Sequence, residues 1–522
     1  MGLYFNPSNI GFMRSLRSKI YVDKSGIISY TNSVQMTQQS YICVSRPRRF
    51  GKTMTAEMLA AYYSRGCDSA EMFTNLTISK DASYKKHLNQ YDVIFLNVQQ
   101  FLSNSIEIKD VISNIENKVT REILEIYPDL SQDCLVDVLN ELYTITQIQL
   151  VFIIDEWDCI FREDSIDDKG QRLYLDFLRN LLKDRNYVGL AYMTGILPIK
   201  KYGSHSALNM FYEFSMTDPR QLAQFVGFTQ EEVKSLCNAY NMDYDELSKW
   251  YNGYSFLRLD CVYNPKSVVE ALLSQNCSNY WTQTETYEAL SIYFKMNFDN
   301  LKNIVIQLLV GGARRVNTRK FSNDMVTFKY CDDILTLLIH LGYLKYHIET
   351  SEVSIPNKEI SDEFETAVDD ANWGEIVETL ELSDALLKAT WNADSETVAQ
   401  IVDKMHNEVS ILQYNDENAL SYIISLAYYT AKQHYSIVRE MPSGKGYADL
   451  TFVPRKITTV PAMIVELKWD KSAVGAIQQI KDKNYVDSFQ DYSGEILLVG
   501  INYNKKMKSH ECKIESHVKT YT

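Results

Sequence analysis

A short basic loop separates a strand-like segment from a helix-like segment near the start of this 522-residue chain. Residues 41–44 are apolar and β-prone, residues 45–53 read Ser-Arg-Pro-Arg-Arg-Phe-Gly-Lys-Thr, and residues 54–63 have the composition of a helix. The closing Gly-Lys-Thr is typical of loops whose backbone amides, together with a helix N-terminus, surround a phosphate. We therefore expect Lys52 to reach the β- and γ-phosphates of a nucleotide and Thr53 to hold Mg²⁺.

The loop departs from the standard pattern G-x-x-x-x-G-K-S/T at its first position, where Arg46 replaces glycine. That glycine normally lets the turn run close to the phosphate. In this chain Pro47 stiffens the turn and three arginines add positive charge, so the simpler alternative is a basic turn before an ordinary helix. The residues that we assign to nucleotide binding are Arg46, Pro47, Arg48, Arg49, Phe50, Gly51, Lys52, Thr53 and Asp155.

A second segment supports the nucleotide site. Residues 150–156 read Leu-Val-Phe-Ile-Ile-Asp-Glu, which is typical of a buried parallel strand that ends in two acids. Asp155 is placed to hold the same Mg²⁺, and Glu156 is placed to orient a water molecule. The two motifs together favour nucleotide binding over a plain basic turn.

Length and composition indicate a soluble protein of about two to four domains. Hydrophobic residues make up 45% of the chain and charged residues 23%. No apolar run approaches the ~18–20 residues that span a bilayer, and the first residues lack the layout of a signal peptide. The nine cysteines are scattered without a C-x-x-C pair, which indicates reduced thiols. We expect a cytoplasmic protein without a membrane partner.

The charge is distributed unevenly along the chain. The formal net charge is −14, so the chain as a whole does not have the basic character of a nucleic-acid binder. Residues 431–522 nevertheless contain 14 Lys and Arg against 10 Asp and Glu, whereas residues 1–430 contain 39 against 57. A weakly basic C-terminal module on an acidic body allows local contact with phosphates.

Strand-like and helix-like stretches alternate in the first part of the chain. Apolar strands joined by crossover helices predict a parallel sheet with both faces covered, and both nucleotide motifs fall at strand C-termini, where such sheets bind ligands. The predicted strands are 41–44, 92–98, 150–154 and 188–194, and two of the predicted helices are 106–126 and 170–183.

The remainder of the chain has a different character. Residues 218–346 read as mostly helical and contain an aromatic turn at 250–256, Trp-Tyr-Asn-Gly-Tyr-Ser-Phe, for which a packed corner is the simplest interpretation. Residues 360–404 read as an acidic helical connector. The last part predicts the order helix, three strands, helix, strand, with elements at 417–433, 436–440, 447–453, 462–467, 472–489 and 495–501.

A second constellation lies in this last part. Glu466 and Lys468 close a strand that should be buried, and because alternate residues of a strand share a face, the two side chains project together. A hairpin would bring Asp449 beside them. Two carboxylates suit Mg²⁺ or Mn²⁺, and Lys468 would orient a water or stabilise developing negative charge. Exposed Glu/Lys pairs are common, so a solvated strand face is the alternative.

The same pocket has two further candidate members. Glu440 lies one strand earlier, and Gln479 lies on the following helix. A metal held here would bind the scissile phosphate and acidify a water. The candidate catalytic residues of the chain are Glu156, Glu440, Asp449, Glu466, Lys468 and Gln479, and the candidate metal ligands are Thr53, Asp155, Asp449 and Glu466.

The first two thirds of the chain resemble the AAA-ATPase-like family of bacterial proteins, in which a P-loop module precedes a helical region. The resemblance implies ATP and Mg²⁺ as cofactors and makes the arginine at position 46 a family feature. The matching segments are 21–24 (Tyr-Val-Asp-Lys), 45–53, 155–158 (Asp-Glu-Trp-Asp), 194–196 (Thr-Gly-Ile), 250–254 and 341–344 (Leu-Gly-Tyr-Leu).

The C-terminal part resembles the PD-(D/E)xK nuclease superfamily, in the subgroup fused to this ATPase. The resemblance implies an αβββαβ core and a metal-dependent phosphodiesterase fold, and rests on Glu440, residues 446–449, residues 466–468 and Gln479 with Lys483 and Tyr485. We therefore expect an α/β protein with a P-loop domain at 1–217, a helical, winged-helix-like region at 218–346, a helical connector at 347–410 and a nuclease-like domain at 411–522.

The leading functional hypothesis is an ATP-dependent nuclease or nuclease-like effector that acts on DNA or RNA. The first alternative is a nucleotide-controlled switch whose C-terminal fold binds nucleic acid or protein without cutting, and the second is a scaffold with both sites vestigial. The choice between DNA and RNA stays open because the metal site contacts only phosphate. An arginine finger could be Arg162, Arg179, a loop arginine or a residue of a neighbouring subunit in a homo-oligomer.

Overall fold

The computed structural model divides the chain into two compact units. The first comprises residues 1–289 and 313–363, and the second comprises residues 290–312 and 364–522. The structure describes residues 2–519 except 132–133, 164–165, 200, 203–204, 207, 257–258, 282–287, 296–297, 299–300, 310, 324–327, 371–373, 409–416, 444–445, 456–459, 490–491 and 493. The bounds of the four predicted domains stay predictions.

The first unit is built on a five-stranded parallel sheet. Its strand order is β2-β3-β4-β1-β7, and a short hairpin, β5-β6, stands apart. The strands are β1 (Tyr41–Ser45), β2 (Asp92–Asn97), β3 (Leu150–Asp155), β4 (Val188–Gly195), β5 (Lys201–Tyr202), β6 (His205–Ser206) and β7 (Tyr212–Phe214). The helices are α1 (Ile10–Leu16), α2 (Gly26–Val34), α3 (Lys52–Tyr63), α4 (Ala70–Phe73), α5 (Tyr84–His87), α6 (Val98–Leu102), α7 (Ile108–Ile126), α8 (Leu135–Thr146) and α9 (Asp168–Leu182).

This sheet confirms the predicted α/β class. Every residue of β3 and β4 is buried, as expected for strands with helices on both faces. The register pairs Ser45 with Gly195 and Asp155 with Thr194, so the ends of β1, β3 and β4 meet at one edge of the sheet. The four predicted strands are confirmed to within one residue at each end; β7, which pairs with β1, was not predicted.

The rest of the first unit adds small antiparallel sheets to the predicted helices. Their strand orders are β8-β10-β9 and β11-β13-β12. The strands are β8 (Phe228–Thr229), β9 (Tyr254–Phe256), β10 (Leu259–Tyr263), β11 (Arg314–Arg315), β12 (Lys345–His347) and β13 (Glu352–Ser354). Helices of this stretch of the chain are α10 (Gln230–Tyr240), α11 (Tyr244–Tyr251), α12 (Pro265–Ser274), α13 (Glu288–Lys295), α14 (Leu301–Leu309), α15 (Cys331–Leu341) and α16 (Lys358–Asp370). The second unit includes all of α14, most of α13 and the last part of α16.

The second unit contains a mixed five-stranded sheet of order β14-β15-β16-β17-β18. Only β16 and β17 pair in parallel, and α20 connects them. The strands are β14 (Tyr435–Ser443), β15 (Gly446–Pro454), β16 (Ala462–Trp469), β17 (Gly494–Asn504) and β18 (Ser509–Lys519), and the helices that follow α16 are α17 (Gly374–Trp391), α18 (Ser395–Glu408), α19 (Glu417–Ala427) and α20 (Ala473–Asp482).

The predicted αβββαβ order is present, and β18 extends it by an antiparallel strand that was not predicted. The two faces of the sheet carry separate apolar clusters. One contains Val465 and Leu467 with α19, and the other contains Ile464 with Ile477 and Ile480 of α20. Among the described helices none is both long enough and apolar enough to cross a bilayer.

Candidate functional site

The phosphate loop follows β1 and ends at Gly51. Gly51 has φ of 90°, a left-handed conformation that favours glycine, and α3 begins at the next residue. A Cβ atom built on Gly51 would meet nothing within 4 Å, because the residue faces open space. The backbone turn that starts α3 therefore leaves room for an anion above the helix N-terminus.

Lys52 lies under this turn with its ammonium group inside the loop. The side chain is buried, and Nζ donates to the carbonyl oxygen of Pro47 at 2.9 Å. Burial lowers the pKa of Lys52, and the carboxylates of Glu156, Asp158 and Asp155 partly oppose that effect. The loop thus holds a cation at the position where the sequence predicts contact with phosphate.

Thr53 and Asp155 join the loop to the end of β3. Thr53 Oγ1 donates to Asp155 Oδ2 at 2.8 Å, and Asn97 Nδ2 donates to the same oxygen at 3.2 Å. Burial, followed by the neighbouring charge of Glu156, raises the pKa of Asp155 to about 6. Asp155 Oδ1 is buried and has no hydrogen-bond partner within the described part of the chain. An unsatisfied carboxylate oxygen beside a threonine hydroxyl fits the oxygen ligands that Mg²⁺ prefers.

Glu156 follows Asp155 in a strained conformation. Its φ of 52° is uncommon for a non-glycine residue, and such outliers cluster at functional sites. Arg162 donates to Glu156 Oε2 and lies 3.5 Å from Asp158 Oδ2. Burial would lower the pKa of Arg162, but the two carboxylates outweigh it and raise the pKa. Arg162 therefore fixes the position of the carboxylate that is predicted to orient water.

Asp158 contacts the Thr-Gly-Ile segment at the end of β4, and these contacts account for its glycine. Asp158 Oδ2 accepts the backbone N–H groups of Ile196 and Leu197 at 3.0 and 2.8 Å. A Cβ atom on Gly195 would lie 2.4 Å from Asp158 Oδ1, so only glycine allows this approach. The turn after β3 is thereby tied to the turn after β4.

A cavity of about 790 Å³ lies beside the loop. Arg48, Arg49, Phe50, Gly51, Lys52, Thr53 and Glu156 line one part of it. Much of the remaining lining is apolar and comes from the N-terminal segment and the region around 225–269, including Phe12, Tyr21, Phe228, Pro265 and Val269. Its volume and its combination of polar and apolar lining residues suit a nucleotide. Sequence reasoning missed these apolar residues; the Tyr-Val-Asp-Lys segment at 21–24 was the available signal.

Arg46 and Pro47 do not line this cavity. From its position in the loop Arg46 was expected to present its charge to the phosphate, but its side chain is fully buried and Nη1 donates to the carbonyl oxygens of Ser45 and Phe214, each at 2.9 Å. The physical reason is the position of β7, whose last residue presents a carbonyl behind the loop. Burial lowers the pKa of Arg46 to about 10.

The nuclease-like constellation lies on β15, β16 and α20. Lys468 Nζ donates to Glu466 Oε1 at 2.9 Å, and the Gln479 side-chain amide donates to the same oxygen. Asp449 Oδ2 accepts the backbone N–H of Leu467 at 2.7 Å, which places Asp449 next to Glu466 on the neighbouring strand. The structure therefore brings together four of the residues that the sequence assigned to this site.

Glu466 is the electrostatic centre of this group. It is only 2% exposed, and its Oε2 has no hydrogen-bond partner in the part of the chain that the structure describes. Burial and then the charge of Asp449 raise the pKa of Glu466, while Lys468 and Lys483 oppose them. A buried, unsatisfied carboxylate oxygen next to a second carboxylate fits a divalent cation.

Glu440 and Tyr485 are related to the nuclease-like site in different ways. β14 contains Glu440, and its register pairs Arg439 with Leu450 and Met441 with Ala448, so Glu440 lies opposite Asp449; its side chain is outside the described residues. Tyr485 supports the site, because its hydroxyl donates to the carbonyl of Tyr447 at 2.7 Å and lies 3.5 Å from Gln479 Nε2. Within the described residues, no group of three or more His, Cys, Asp or Glu side chains is placed to hold a metal.

Comparisons with known proteins match both parts of the chain. Residues 12–204 match the model of a predicted AAA-ATPase family, and residues 416–513 match that of the PD-(D/E)XK nuclease superfamily. The chain therefore carries an AAA-ATPase-like domain and a nuclease-superfamily domain, and both resemblances drawn from the motifs are confirmed.

Individual relatives are more distant. An uncharacterised protein from the vnfD 5′ region of Azotobacter chroococcum is 25% identical over 51% of this chain, and the chain spans about half (51%) of that protein's length. Among solved structures, the Walker-type ATPase of Pyrococcus abyssi is 12% identical with a TM-score of 0.36 over 67% of this chain and 97% of that chain. The ORC2 protein of Aeropyrum pernix is 11% identical with a TM-score of 0.29 over 70% and 98%.

Proposed function

We propose that this chain binds and hydrolyses ATP at the phosphate loop and that ATP controls a nuclease-like site on nucleic-acid phosphodiesters. The observation that carries the proposal is the bond from Thr53 to Asp155, which joins the loop to the acidic end of β3. A basic turn before an ordinary helix has no need of a buried carboxylate at that point. The match to the AAA-ATPase family over residues 12–204 supports the same conclusion.

In the ATPase site each residue has a separate task. Lys52 supplies positive charge to the β- and γ-phosphates, and the amides that follow Gly51 bind their oxygens. Thr53 and Asp155 would hold Mg²⁺, which, when bound, neutralises charge on the phosphates. Glu156 accepts a hydrogen bond from the attacking water and orients it, and Arg162 keeps Glu156 in place.

In the nuclease-like site Asp449 and Glu466 would hold Mg²⁺ or Mn²⁺, which, when bound, stabilises charge on the phosphate and acidifies a water. Lys468 donates a hydrogen bond to that water or to the phosphate oxygen. Gln479 holds the carboxylate of Glu466 in one orientation through its side-chain amide. The proposed substrate is DNA or RNA, and a cleavage assay on both distinguishes them.

A second candidate function is a nucleotide-controlled binding switch. It is favoured by two observations: the described residues of the nuclease-like site contribute two carboxylates, and Lys468 is already paired with Glu466. A site in this state could hold a nucleic-acid backbone without cutting it. The match to the nuclease superfamily supports the fold of this unit and leaves the activity to be tested.

Cleavage assays on the full chain separate the two functions. Plasmid DNA and RNA are incubated with Mg²⁺ or Mn²⁺, with and without ATP, using wild type, Glu466→Gln and Lys52→Ala. The matched controls are Glu495→Gln, an exposed glutamate on β17 whose carboxylate accepts from Ser516, and Lys109→Ala, on the exposed face of α7. Cleavage that is lost in Glu466→Gln but kept in Glu495→Gln supports the nuclease, and an effect of ATP on cleavage that is lost in Lys52→Ala but kept in Lys109→Ala supports control by ATP. ATP hydrolysis without any cleavage would favour the switch.

A further inference from the structure

The phosphate loop contacts the aromatic turn, residues 250–256, through the side chains of Phe50 and Arg46. The rings of Phe50 and Tyr254 pack edge to face, with 5.4 Å between their centroids. The guanidinium of Arg46 lies 5.3 Å from the centre of the Phe256 ring. Both loop residues are buried, so the aromatic turn forms the support behind the loop.

Burial of the Arg46 guanidinium behind the loop is energetically unfavourable. Its side chain is fully buried, and its Nε and Nη2 atoms have no hydrogen-bond partner among the described residues. Burying a charged group that is only partly satisfied costs stability. A geometric task accounts for this cost: Arg46 ties the loop to the carbonyl of Phe214 on β7 and to the ring of Phe256 on β9.

The aromatic turn also contacts the segment that leads into α16. Gly253 has φ of 139°, and a Cβ atom built on it would lie 2.1 Å from the carbonyl oxygen of Pro356. Only glycine allows two backbones to approach so closely. Lys358 Nζ, at the start of α16, lies 4.0 Å from the centre of the Trp250 ring. The turn is therefore packed between the phosphate loop and the first residues of α16.

The first turn of α16 is held to the same region by Glu359. This residue is 1% exposed, and its carboxylate accepts from Ser267 Oγ at 3.0 Å and from the backbone N–H groups of Tyr280 and Trp281 at 2.9 and 3.1 Å. The helix continues past Glu363, where the first unit ends, into the second unit. A shift of the aromatic turn would therefore act on this helix through the contacts of Gly253 with Pro356 and of Trp250 with Lys358.

We infer that the aromatic turn is a relay that couples nucleotide at the phosphate loop to helix α16, with Arg46 and Phe50 as positioning residues. The inference rests on the proposed function, because it requires a nucleotide at the loop. Binding of phosphates shifts the loop, Phe50 and Arg46 transmit the shift to Tyr254 and Phe256, and the turn moves against Pro356. Closely packed groups of this kind change between discrete arrangements rather than deform smoothly.

Hydrogen exchange of the full chain over residues 358–370, with and without ATP and Mg²⁺, tests the relay. In wild type, ATP should change the exchange rate of this segment by about tenfold, the usual range of coupling between two sites. In Gly253→Ala, ATP should bind with its affinity changed by less than about tenfold, or about 1.4 kcal/mol, while the response of residues 358–370 is lost.

A milder variant guards against loss of folding in Gly253→Ala. Tyr254→Phe keeps the ring against Phe50 but removes the hydroxyl that donates to the carbonyl of Gly342. Gly342 packs against Pro47 of the phosphate loop, so the loss of this second link between the loop and the aromatic turn should weaken the response. The matched control is Tyr263→Phe, a buried tyrosine whose hydroxyl bonds Tyr244 and Ser248; its response should equal that of wild type.

The outcomes separate this inference from the function on which it rests. If ATP binds wild type but leaves exchange at 358–370 unchanged, the relay is wrong and ATP binding stands. If ATP does not bind at all, the proposed function and the relay fail together. A full wild-type response in Tyr254→Phe, or an equal loss in Tyr263→Phe, would also overturn the relay.

Discussion

Thr53 Oγ1 donates to Asp155 Oδ2 at 2.8 Å and so connects the first turn of α3 to the last residue of β3. The two residues are 102 positions apart in the chain, and the parallel register of the sheet brings them together. This contact brings together the hydroxyl and the carboxylate that we propose as ligands of Mg²⁺.

Removal of this hydroxyl should impair hydrolysis far more than folding. We expect Thr53→Ala to lower kcat for ATP hydrolysis by about 10²–10³, the range for removing one preorganised group from a site of this kind. Thr53→Ser, which keeps the hydroxyl, should retain most of the activity. Steady-state phosphate release checks both variants, and equal activity in Thr53→Ala and Thr53→Ser would contradict the role.

Asp155 should make the stability of the nucleotide-free protein fall as pH rises. Its pKa is raised from 3.8 to about 6, so between these values the folded state binds more protons than the unfolded state, and the free energy of unfolding decreases with increasing pH. Asp155→Asn should remove the contribution of Asp155 to this slope and stabilise the protein at pH 7 by on the order of 2–3 kcal/mol. Urea unfolding at pH 4.5 to 7.5, without metal, measures it.

The same substitution should abolish hydrolysis, because the amide cannot replace a charged ligand of Mg²⁺. ATP-dependent binding of Mg²⁺ in wild type should rise through pH of about 6, as Asp155 loses its proton. A variant that is both less stable at pH 7 and fully active would show that Asp155 is an ordinary structural residue.

Arg162 should act within its own chain. We expect Arg162→Ala to lower kcat by about tenfold or more with little change in KM, because Glu156 loses the contact that fixes it. Mixing this variant with Lys52→Ala, which we expect to be inactive in ATP hydrolysis but which has an intact Arg162, should restore nothing. Restored hydrolysis in the mixture would identify Arg162 as an arginine finger that acts on a neighbouring subunit.

Gln479 should matter for the nuclease-like site while its neighbour does not. Its amide donates to Glu466, so Gln479→Ala should lower metal-dependent cleavage, or the affinity for Mn²⁺, by about 10–100-fold, as expected for loss of an outer-shell partner. The control is Gln478→Ala, whose amide donates to Asp482 at 2.7 Å on the exposed side of α20. Equal effects of the two substitutions would remove Gln479 from the site.

Much of this arrangement could be predicted from local sequence. The apolar runs of β1 and β3 specify buried parallel strands, and Gly51 with Lys52 and Thr53 specifies the turn into a helix, because these features depend on residues within one strand, loop or helix start. Glu466 and Lys468 were likewise predicted together from the two-residue period of a strand.

Only the tertiary structure determined where Arg46 points. From its neighbours in the chain it reads as one of three loop arginines facing phosphate, yet the carbonyl of Phe214 and the ring of Phe256 hold it inside the protein. Those partners lie 168 and 210 residues away in the chain, and no local sequence pattern predicts these contacts.

The sequence by itself thus identified the two domains and the residues of the two candidate sites, because each motif depends on a few residue types at fixed local spacing. The tertiary structure decided which distant segments surround the phosphate loop. These are the apolar lining of the cavity, the bond between Asp158 and the turn after β4, and the packing of Gly253 against Pro356. These features join segments that are distant in the chain, and their geometry exists only after the sheet and its flanking elements have assembled.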